Sequence, residues 1–420
     1  MNNAELMIKY IEEQNLSKAE KQFKKVKISG TDDEKYMLAL SLTQYGFLEE
    51  ARELFEILLH IYPDEGELKL NLAELLVEMG QDDDAFQYLE TISKDDPNYP
   101  AALLVEADLY EMQGLFEVSE NKLLKAKELI PNEPVIDYAL GELYMTQGRF
   151  LEAARSFSFL LQGNDKEIEG IDINSRMAEA LSAGGAFEEA LTYYKKSLKN
   201  KKDIDQLFAY GLTAYQSSQY NVAIKAFKEL LEIDPHYHSL YLYLARSLEH
   251  EEKMDEALEI AEAGLKEDEY NKDLHFFAGK LALKIGQENN AEQFFRQALV
   301  LDPEYTEAAI SLNRLLIRQE RYEAVLEITE MFFEGGDADP QFHWDAAISF
   351  QHLEQYQEAL NEYELAYNDF KNNQDFLVDY GYFLMEEGNG RAASDIFKML
   401  VEKDPANVEW VSLLERLEEY

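Results

Sequence analysis

Small residues recur along the chain at an almost constant interval of 34 residues, and a second set of small residues lies twelve positions before the first. Two helices cross closely only where the side chains between them are small. Each interval is therefore predicted to form a hairpin of two helices. The first set is Ala51, Ala85, Ser119, Ala153, Ala190, Ala223, Ala257, Ala291, Val325, Ala359 and Ala393. The second set is Ala39, Ala73, Ala107, Gly141, Ala178, Gly211, Ala245, Gly279, Ala347 and Gly381.

Glycine and proline mark the ends of the predicted helices. Proline inside a helix removes a hydrogen bond and clashes with the preceding turn. Six of the nine prolines fall where a second helix should end, and the other three begin the next repeat. Seven repeats carry a glycine between their two helices, which predicts a turn there. These glycines are Gly46, Gly80, Gly114, Gly148, Gly185, Gly286 and Gly388.

Two places depart from this regularity. The interval from Ala153 to Ala190 is 37 residues, so residues 163–172 ("GNDKEIEGID") are predicted to form a joint with a small insertion. One repeat carries Asn313 and Val325 at its two crossing positions. Its helices are expected either to be spread apart or to be shifted in register.

The pattern resembles the tetratricopeptide repeat (TPR) family, whose unit is a 34-residue helix–turn–helix. "YALGELYMTQGRFLEAARSF" carries the resemblance best, and it extends over essentially the whole chain. "PNEPVIDYALGELY" is also similar to the YpiA-type TPR proteins of low-GC Gram-positive bacteria. The resemblance implies an all-α fold, a right-handed α-solenoid of about twelve TPR hairpins with a C-terminal capping helix.

The repeats divide the chain into four expected segments. They are a degenerate first repeat at residues 1–31, repeats two to five at 32–167, repeats six to twelve at 168–407, and the capping helix at 408–420. In the last segment Trp410, Leu413, Leu414 and Leu417 share one side of the helix. An amphipathic final helix is what the end of a solenoid requires.

Composition and charge indicate which partners and which cellular location the protein is expected to have. The chain holds 84 acidic residues against 39 basic ones, for a net charge of -45. Such a charge disfavours nucleic acid and the anionic membrane surface as partners. No signal peptide, membrane span or cysteine is found in the sequence, so a cytoplasmic location is expected.

Residues that could support catalysis or bind a metal are few. The seven histidines lack the H-E-x-x-H spacing that places two imidazoles on one helical face. His236 and His238 are two apart, where helical side chains diverge, and no phosphate-binding glycine loop or nucleophile elbow occurs. We expect no cofactor, no metal site and no enzymatic activity.

The TPR resemblance implies that the first helix of each hairpin lines a concave groove where partner segments bind. The fifth position of the repeat is apolar in every repeat from the second onward except the one with Ser175, and it includes Phe276, Ile310 and Trp344. These residues are predicted to contact a partner's apolar side chains. The alternative is packing between neighbouring helices.

Basic residues occupy two other groove positions in successive repeats. The ninth position gives Arg246, Lys280 and Arg314, and the thirteenth gives His250, Lys284 and Arg318, followed by His352. Residues four apart share a helix face, and equivalent positions of stacked repeats lie side by side, so one basic patch is predicted. Alternatively, these cations only form surface ion pairs with Glu249, Glu288 and Glu307, which contribute about 0 to 1 kcal/mol each.

The sequence thus predicts a protein-interaction adaptor or scaffold whose partner carries an acidic segment. The acidic C-terminus, "RLEEY", makes self-association a further option. Two alternatives of other classes remain open at this stage: a helical-repeat RNA-binding protein, and a regulatory receptor for a small peptide or nucleotide.

Overall fold

The structure is a computed structural model. It describes residues 2–163, 165–168, 170–200, 202–334, 336 and 338–418, with the main chain alone at Asn200. Over these residues the chain forms 25 α-helices and one short pair of strands, which confirms the predicted all-α fold of helical hairpins. The chain divides into two compact units, with the boundary between Thr213 and Ala214.

The N-terminal unit contains six successive helical hairpins. Their helices are α1 (Asn3–Glu12), α2 (Leu16–Ser29), α3 (Asp32–Gln44), α4 (Leu48–Ile61), α5 (Gly66–Glu78), α6 (Asp82–Leu89), α7 (Tyr99–Met112), α8 (Phe116–Leu129), α9 (Pro134–Thr146), α10 (Phe150–Gly163), α11 (Ile173–Ala183) and α12 (Phe187–Asn200). The strands β1 (Glu167–Ile168) and β2 (Ile171–Asp172) lie between α10 and α11. The next helix, α13 (Ile204–Gln216), includes the boundary residues.

The C-terminal unit continues the same alternation. Its helices are α14 (Tyr220–Ile233), α15 (Ser239–His250), α16 (Met254–Glu267), α17 (Lys272–Lys284), α18 (Glu288–Leu301), α19 (Thr306–Arg318), α20 (Tyr322–Glu334), α21 (Pro340–His352), α22 (Tyr356–Phe370), α23 (Gln374–Glu386), α24 (Gly390–Lys403) and α25 (Val408–Glu418). Odd-numbered helices up to α23 are the first helices of the hairpins. None of the helices described is long and apolar enough to cross a membrane.

The small residues lie where the helices of each hairpin cross. Every member of the first set is at most 1% exposed. A Cβ atom on Gly141 would lie 2.4 Å from Cε1 of Phe157, and one on Gly279 would lie 2.5 Å from Cε1 of Phe295. The aromatic ring of the second helix therefore occupies the space that a side chain on the first helix would need.

The turn within a hairpin requires one residue in the left-handed region. The seven predicted glycines fill this place with φ between 70° and 79°. In the other five hairpins a residue with a side chain adopts the same conformation, although this is unfavourable for L-amino acids. These residues are Gln14, Ser218, Glu252, Glu320 and Glu354, with φ between 56° and 60°.

The proline and cap predictions are also confirmed. Pro100, Pro134 and Pro340 lie in the first turn of a helix. The other six prolines follow the second helix of a hairpin; five precede the first helix of the next hairpin, and Pro405 precedes α25. At the C-terminus, Trp410 and Leu413 of α25 are each 6% exposed and complete the last apolar cluster, against which Leu414 and Leu417 also pack.

The predicted joint at residues 163–172 contains a small β-hairpin. Strands β1 and β2 are antiparallel, with Glu167 opposite Asp172 and Ile168 opposite Ile171. Asn164 and Glu169 lie outside the described residues. The boundary between the two compact units lies further along the chain, after Thr213. The division of the repeats at residues 31, 167 and 407 stays a prediction.

The hairpin of α19 and α20 keeps its register, because Asn313 and Val325 are both fully buried. Its two helices pack less extensively on one another than do those of the hairpins on either side. Nδ2 of Asn313 donates a hydrogen bond across to Oδ2 of Asp345 in α21, at 3.2 Å. At this crossing position of α19, Asn313 thus makes a polar contact with the first helix of the next hairpin, whereas the other hairpins from the second onward have a small residue there.

The carboxyl group of Asp345 is 4% exposed. Burial raises the pKa of this group to about 6, against the hydrogen bonds from Gln341 and Asn313 and the positive charge of Arg314, which lower it. Nε2 of Gln341 lies 2.9 Å from Oδ1 of the carboxyl group. Ionisation of Asp345 is therefore less favourable in the folded state than in water, and the carboxylate present at neutral pH costs stability.

Replacement of Gly141 by alanine should destabilise the fold by about 1 to 3 kcal/mol because the new methyl group collides with Phe157. In an unobstructed helix the same change stabilises by about 0.5 to 1 kcal/mol. The sign of the change in the free energy of unfolding therefore shows whether the helices cross closely at Gly141. Chemical denaturation gives the free energy of unfolding. In a Phe157→Leu background the cost of Gly141→Ala should shrink; a stabilising Gly141→Ala in the wild-type background contradicts the close crossing.

An Asp345→Asn variant should change how stability depends on pH. Because the folded-state pKa is raised, the folded state binds the proton more tightly than the unfolded state, and wild type loses stability as pH rises from about 4 to about 6. The asparagine variant has no titratable group at this position, so it does not lose stability in this way. The free energy of unfolding of wild type relative to the variant should fall by about 2 to 3 kcal/mol between about pH 4 and pH 7. A pH-independent difference contradicts the raised pKa.

Candidate functional site

Four of the predicted basic residues line one cavity in the C-terminal unit. Lys280 and Lys284 come from α17, and Arg314 and Arg318 come from α19, the first helix of the next hairpin. The cavity has a volume of about 250 Å³. The structure therefore brings together residues that the sequence places 34 positions apart.

The apolar face of each helix determines where these cations point. Ala278 and Leu281 of α17 are fully buried, as are Leu312 and Leu316 of α19. The two cations of each helix are four residues apart, so they lie one turn from each other on the same face. All four are exposed side chains, as expected on the face opposite the core.

Two of the four cations form ion pairs with acids that the sequence analysis named. Nζ of Lys284 lies 2.5 Å from Oε1 of Glu249. Nη2 of Arg318 lies 2.9 Å from Oε1 of Glu288. Each acid belongs to the hairpin before its cation, so these pairs connect neighbouring repeats. For Lys284 and Arg318, a surface ion pair is therefore enough to explain why a basic residue occupies the position.

Lys280 and Arg314 differ, since neither forms an ion pair with any residue that the structure describes. Nζ of Lys280 lies 5.6 Å from the ring centroid of Phe276, within the range of a cation–π contact. Glu307, the third acid considered as a partner, pairs with none of the four cations. The cavity thus holds two cations that form no ion pair within the described part of the chain, although the charge of Arg314 acts on the carboxyl group of Asp345.

Arg246 and His250 come from α15, one hairpin earlier, and do not line the cavity. The guanidinium carbon of Arg246 lies 5.7 Å from the ring centroid of Phe277. The ring of His250 stacks on Tyr220, with centroids 4.1 Å apart, and His352 stacks on Tyr322 at 4.4 Å. Each histidine thus packs against the first residue of a second helix, which is α14 for His250 and α20 for His352.

The predicted apolar contacts Phe276, Ile310 and Trp344 are half-buried. The ring of Phe276 lies 5.2 Å from that of Tyr305. Trp344 donates from Nε1 to Oδ2 of Asp379 at 3.1 Å. Part of each side chain therefore packs between neighbouring helices, and part remains accessible to solvent.

Four further residues line the cavity that the sequence analysis did not select: Leu283, Phe295, Ser311 and Leu315. Three of them are adjacent to, or one turn away from, a predicted cation, so helical spacing could have identified them. Phe295 comes from the second helix α18 and packs beside Gly279, which only the tertiary structure reveals. These residues give the basic cavity an apolar floor.

No group of three or more histidine, aspartate and glutamate side chains within the described ranges could hold a metal ion. Nδ1 of His236 lies 2.7 Å from Oε2 of Glu267, a contact between consecutive hairpins.

Comparison with known families gives matches along much of the chain. The family described as "YpiA-like, tetratricopeptide repeats" matches residues 111–165, and "YpiA-like, C-terminal tetratricopeptide repeats" matches residues 340–407. General tetratricopeptide repeat families match residues 42–109, 214–275 and 273–305.

Among solved structures, the crystal structure of the APC/C hetero-tetramer Cut9-Hcn1 aligns with 98% of this chain and 95% of that chain, at 12% identity and a TM-score of 0.39. Among curated proteins, the "Protein CTR9 homolog" of Arabidopsis thaliana is 23% identical over 383 residues, which cover 86% of this chain and 32% of that protein.

A much stronger similarity is to the "TPR repeat-containing protein YpiA" of Bacillus subtilis (strain 168). The two chains are 41% identical over 404 residues, which cover 96% of this chain and 94% of that protein. The repeat pattern, the helical hairpins and this similarity over nearly the full length of both chains show that the chain belongs to the YpiA-like family of tetratricopeptide repeat proteins.

Proposed function

We propose that this protein is an adaptor or scaffold that binds a segment of another protein along the first helices of its C-terminal hairpins. The partner's acidic groups bind Lys280 and Arg314 in the cavity that Lys284 and Arg318 also line, the latter two being paired with Glu249 and Glu288. The observation that carries the proposal is that Lys280 and Arg314 line the cavity without an ion pair to any described residue, in a chain with a net charge of -45.

Like charges one turn apart on a helix destabilise it by a few tenths of a kcal/mol. At Lys284 and Arg318 the acids Glu249 and Glu288 offset that cost. At Lys280 and Arg314 a carboxylate from a partner can do so. Each charge-assisted hydrogen bond to such a carboxylate contributes roughly 1.5 to 3 kcal/mol when it is partly shielded from water.

The apolar floor of the cavity supports a protein segment as the ligand rather than a free anion. Leu283 beside the cations is half-buried, so a bound side chain meets apolar surface as well as charge, while Phe295 and Leu315 beneath it are 0% and 1% exposed. Phe276, Ile310 and Trp344 extend the apolar contact along the neighbouring helices. An extended or helical segment with acidic and apolar residues in alternation matches this arrangement.

The remaining elements of the proposal come from the sequence and the family. We propose a non-enzymatic role in the cytoplasm, with neither a membrane nor nucleic acid as partner, because a charge of -45 repels polyanions. Self-association through the acidic C-terminus is a further proposal; its last two residues, Glu419 and Tyr420, lie outside the described part of the chain.

The unbalanced and the balanced cations provide a matched pair of variants. Lys280→Gln with Arg314→Gln removes two charges that a partner would use, whereas Lys284→Gln with Arg318→Gln removes two that internal acids already neutralise. In an affinity capture from nuclease-treated lysate, read by mass spectrometry, a specific partner should be retained by wild type and by the second variant. The first variant should lose it, with affinity reduced by more than about tenfold.

A peptide array of the captured protein then identifies the segment bound, which should be acidic. Circular dichroism establishes that both variants keep their helices. Capture of the same proteins by wild type and both variants contradicts the proposed site. Retention of RNA when nuclease is omitted, abolished by the first variant alone, favours the helical-repeat RNA-binding alternative instead.

A further inference from the structure

A second basic cavity lies in the N-terminal unit, away from the groove positions of the first helices. Its volume is about 570 Å³. It lies between α10 and α12, the second helices of two adjacent hairpins, and also includes the start of α11. The lining residues are Ser158, Leu161, Gln162, Lys166, Asn174, Tyr193, Lys196 and Lys199.

The insertion that interrupts the 34-residue repeat places Lys166 in this cavity. The backbone around Lys166 is fixed at both sides: the N–H of Asp165 donates to the carbonyl of Leu160 at 3.1 Å, and the N–H of Ile173 donates to the carbonyl of Lys166 at 3.0 Å. The pairing of β1 with β2 closes the segment between them.

The three lysines of the cavity have no ion-pair partner among the described residues. Some other cations of the same unit are paired: Lys122 with Glu106, Lys127 with Asp137, and Arg149 with Glu120. No aspartate or glutamate is among the residues that line the cavity. Three exposed ammonium groups around one concavity repel each other, and no carboxylate lines the cavity beside them, although Lys166 also borders a neighbouring acidic cavity that includes Glu167 and Asp172.

Neutral side chains around the lysines add hydrogen-bond donors and orient the charges. Nζ of Lys196 lies 4.3 Å from the ring centroid of Tyr193, a cation–π contact that holds the lysine over the cavity wall. Asn174 is 7% exposed, and its Nδ2 donates to Oδ1 of Asp172 at 3.0 Å, leaving a second N–H. Ser158 and Gln162 contribute a hydroxyl and an amide.

We propose that this cavity binds a compact multivalent oxyanion, a phosphate or pyrophosphate group. Lysine ammonium groups bind phosphate as point charges, and the three together match a group with two or more negative charges. The net charge of -45 repels extended polyanions, whereas a small anion can reach the lysines with less repulsion. The group is either free or carried on a phosphorylated peptide.

Isothermal titration of the full chain with inorganic pyrophosphate tests the site. The cavity variant carries Lys166→Gln, Lys196→Gln and Lys199→Gln. The control variant carries Lys225→Gln, Lys266→Gln and Lys371→Gln, three exposed lysines elsewhere, and so has the same net charge. Wild type and control should bind pyrophosphate with equal affinity, which falls as salt is raised. The cavity variant should bind at least about tenfold more weakly.

Parallel titrations with inorganic phosphate and a short phosphoserine peptide distinguish the two sources. Tighter binding of the peptide identifies a protein-borne phosphate as the ligand, and tighter binding of pyrophosphate identifies a free one. Absence of binding by wild type in all three titrations overturns the proposal. An equal loss in the cavity and control variants also overturns it, because it attributes the effect to net charge alone. Circular dichroism of both variants excludes unfolding as the cause.

Discussion

The close crossing of two helices through small residues is the constraint on which the rest of the structure depends. A ring such as Phe157 or Phe295 fills the place where a side chain on the opposite helix would lie, so all but one of the hairpins from the second onward have glycine or alanine at this position of the first helix, and the exception is the hairpin with Asn313. Because that requirement recurs every 34 residues, the orientation of each helix is set in the same way. Equivalent positions of successive first helices then lie side by side, and a surface site is assembled from residues far apart in the chain.

Charge pairing between neighbouring repeats decides which cations remain available. Lys284 pairs with Glu249 and Arg318 with Glu288, and Arg176 pairs with Glu142 and Glu179 in the N-terminal unit. Although the chain has more than twice as many acids as bases, some of the cations that line its cavities form no ion pair with a described residue. Lys280 and Arg314 in one cavity, and Lys166, Lys196 and Lys199 in another, are such cations. The position of such clustered cations is more informative about binding than the total charge of the chain is.

The two departures from the repeat have different structural outcomes. At Asn313 the hairpin keeps its register, and the polar side chain finds a buried acceptor on Asp345 in the next hairpin rather than forming the usual small-residue crossing. At residues 163–172 the extra length forms a β-hairpin and turns Lys166 toward α12. In both cases the side chain that departs from the repeat, Asn313 or Lys166, lies against the adjacent hairpin, because each hairpin contacts mainly its neighbours.

The sequence by itself determined the helical hairpins, their crossing positions, their turns and their capping helix, because these depend on local properties that recur: side-chain size, the backbone limits of proline and glycine, and helical spacing. It also placed Lys280, Lys284, Arg314 and Arg318 in register. Only the tertiary structure decided that Glu249 and Glu288 neutralise two of these four, that Phe295 supplies the floor beneath them, and that Asn313 reaches Asp345. Those outcomes depend on distances between side chains of different hairpins, and such distances cannot be inferred from the spacing of residues along one helix.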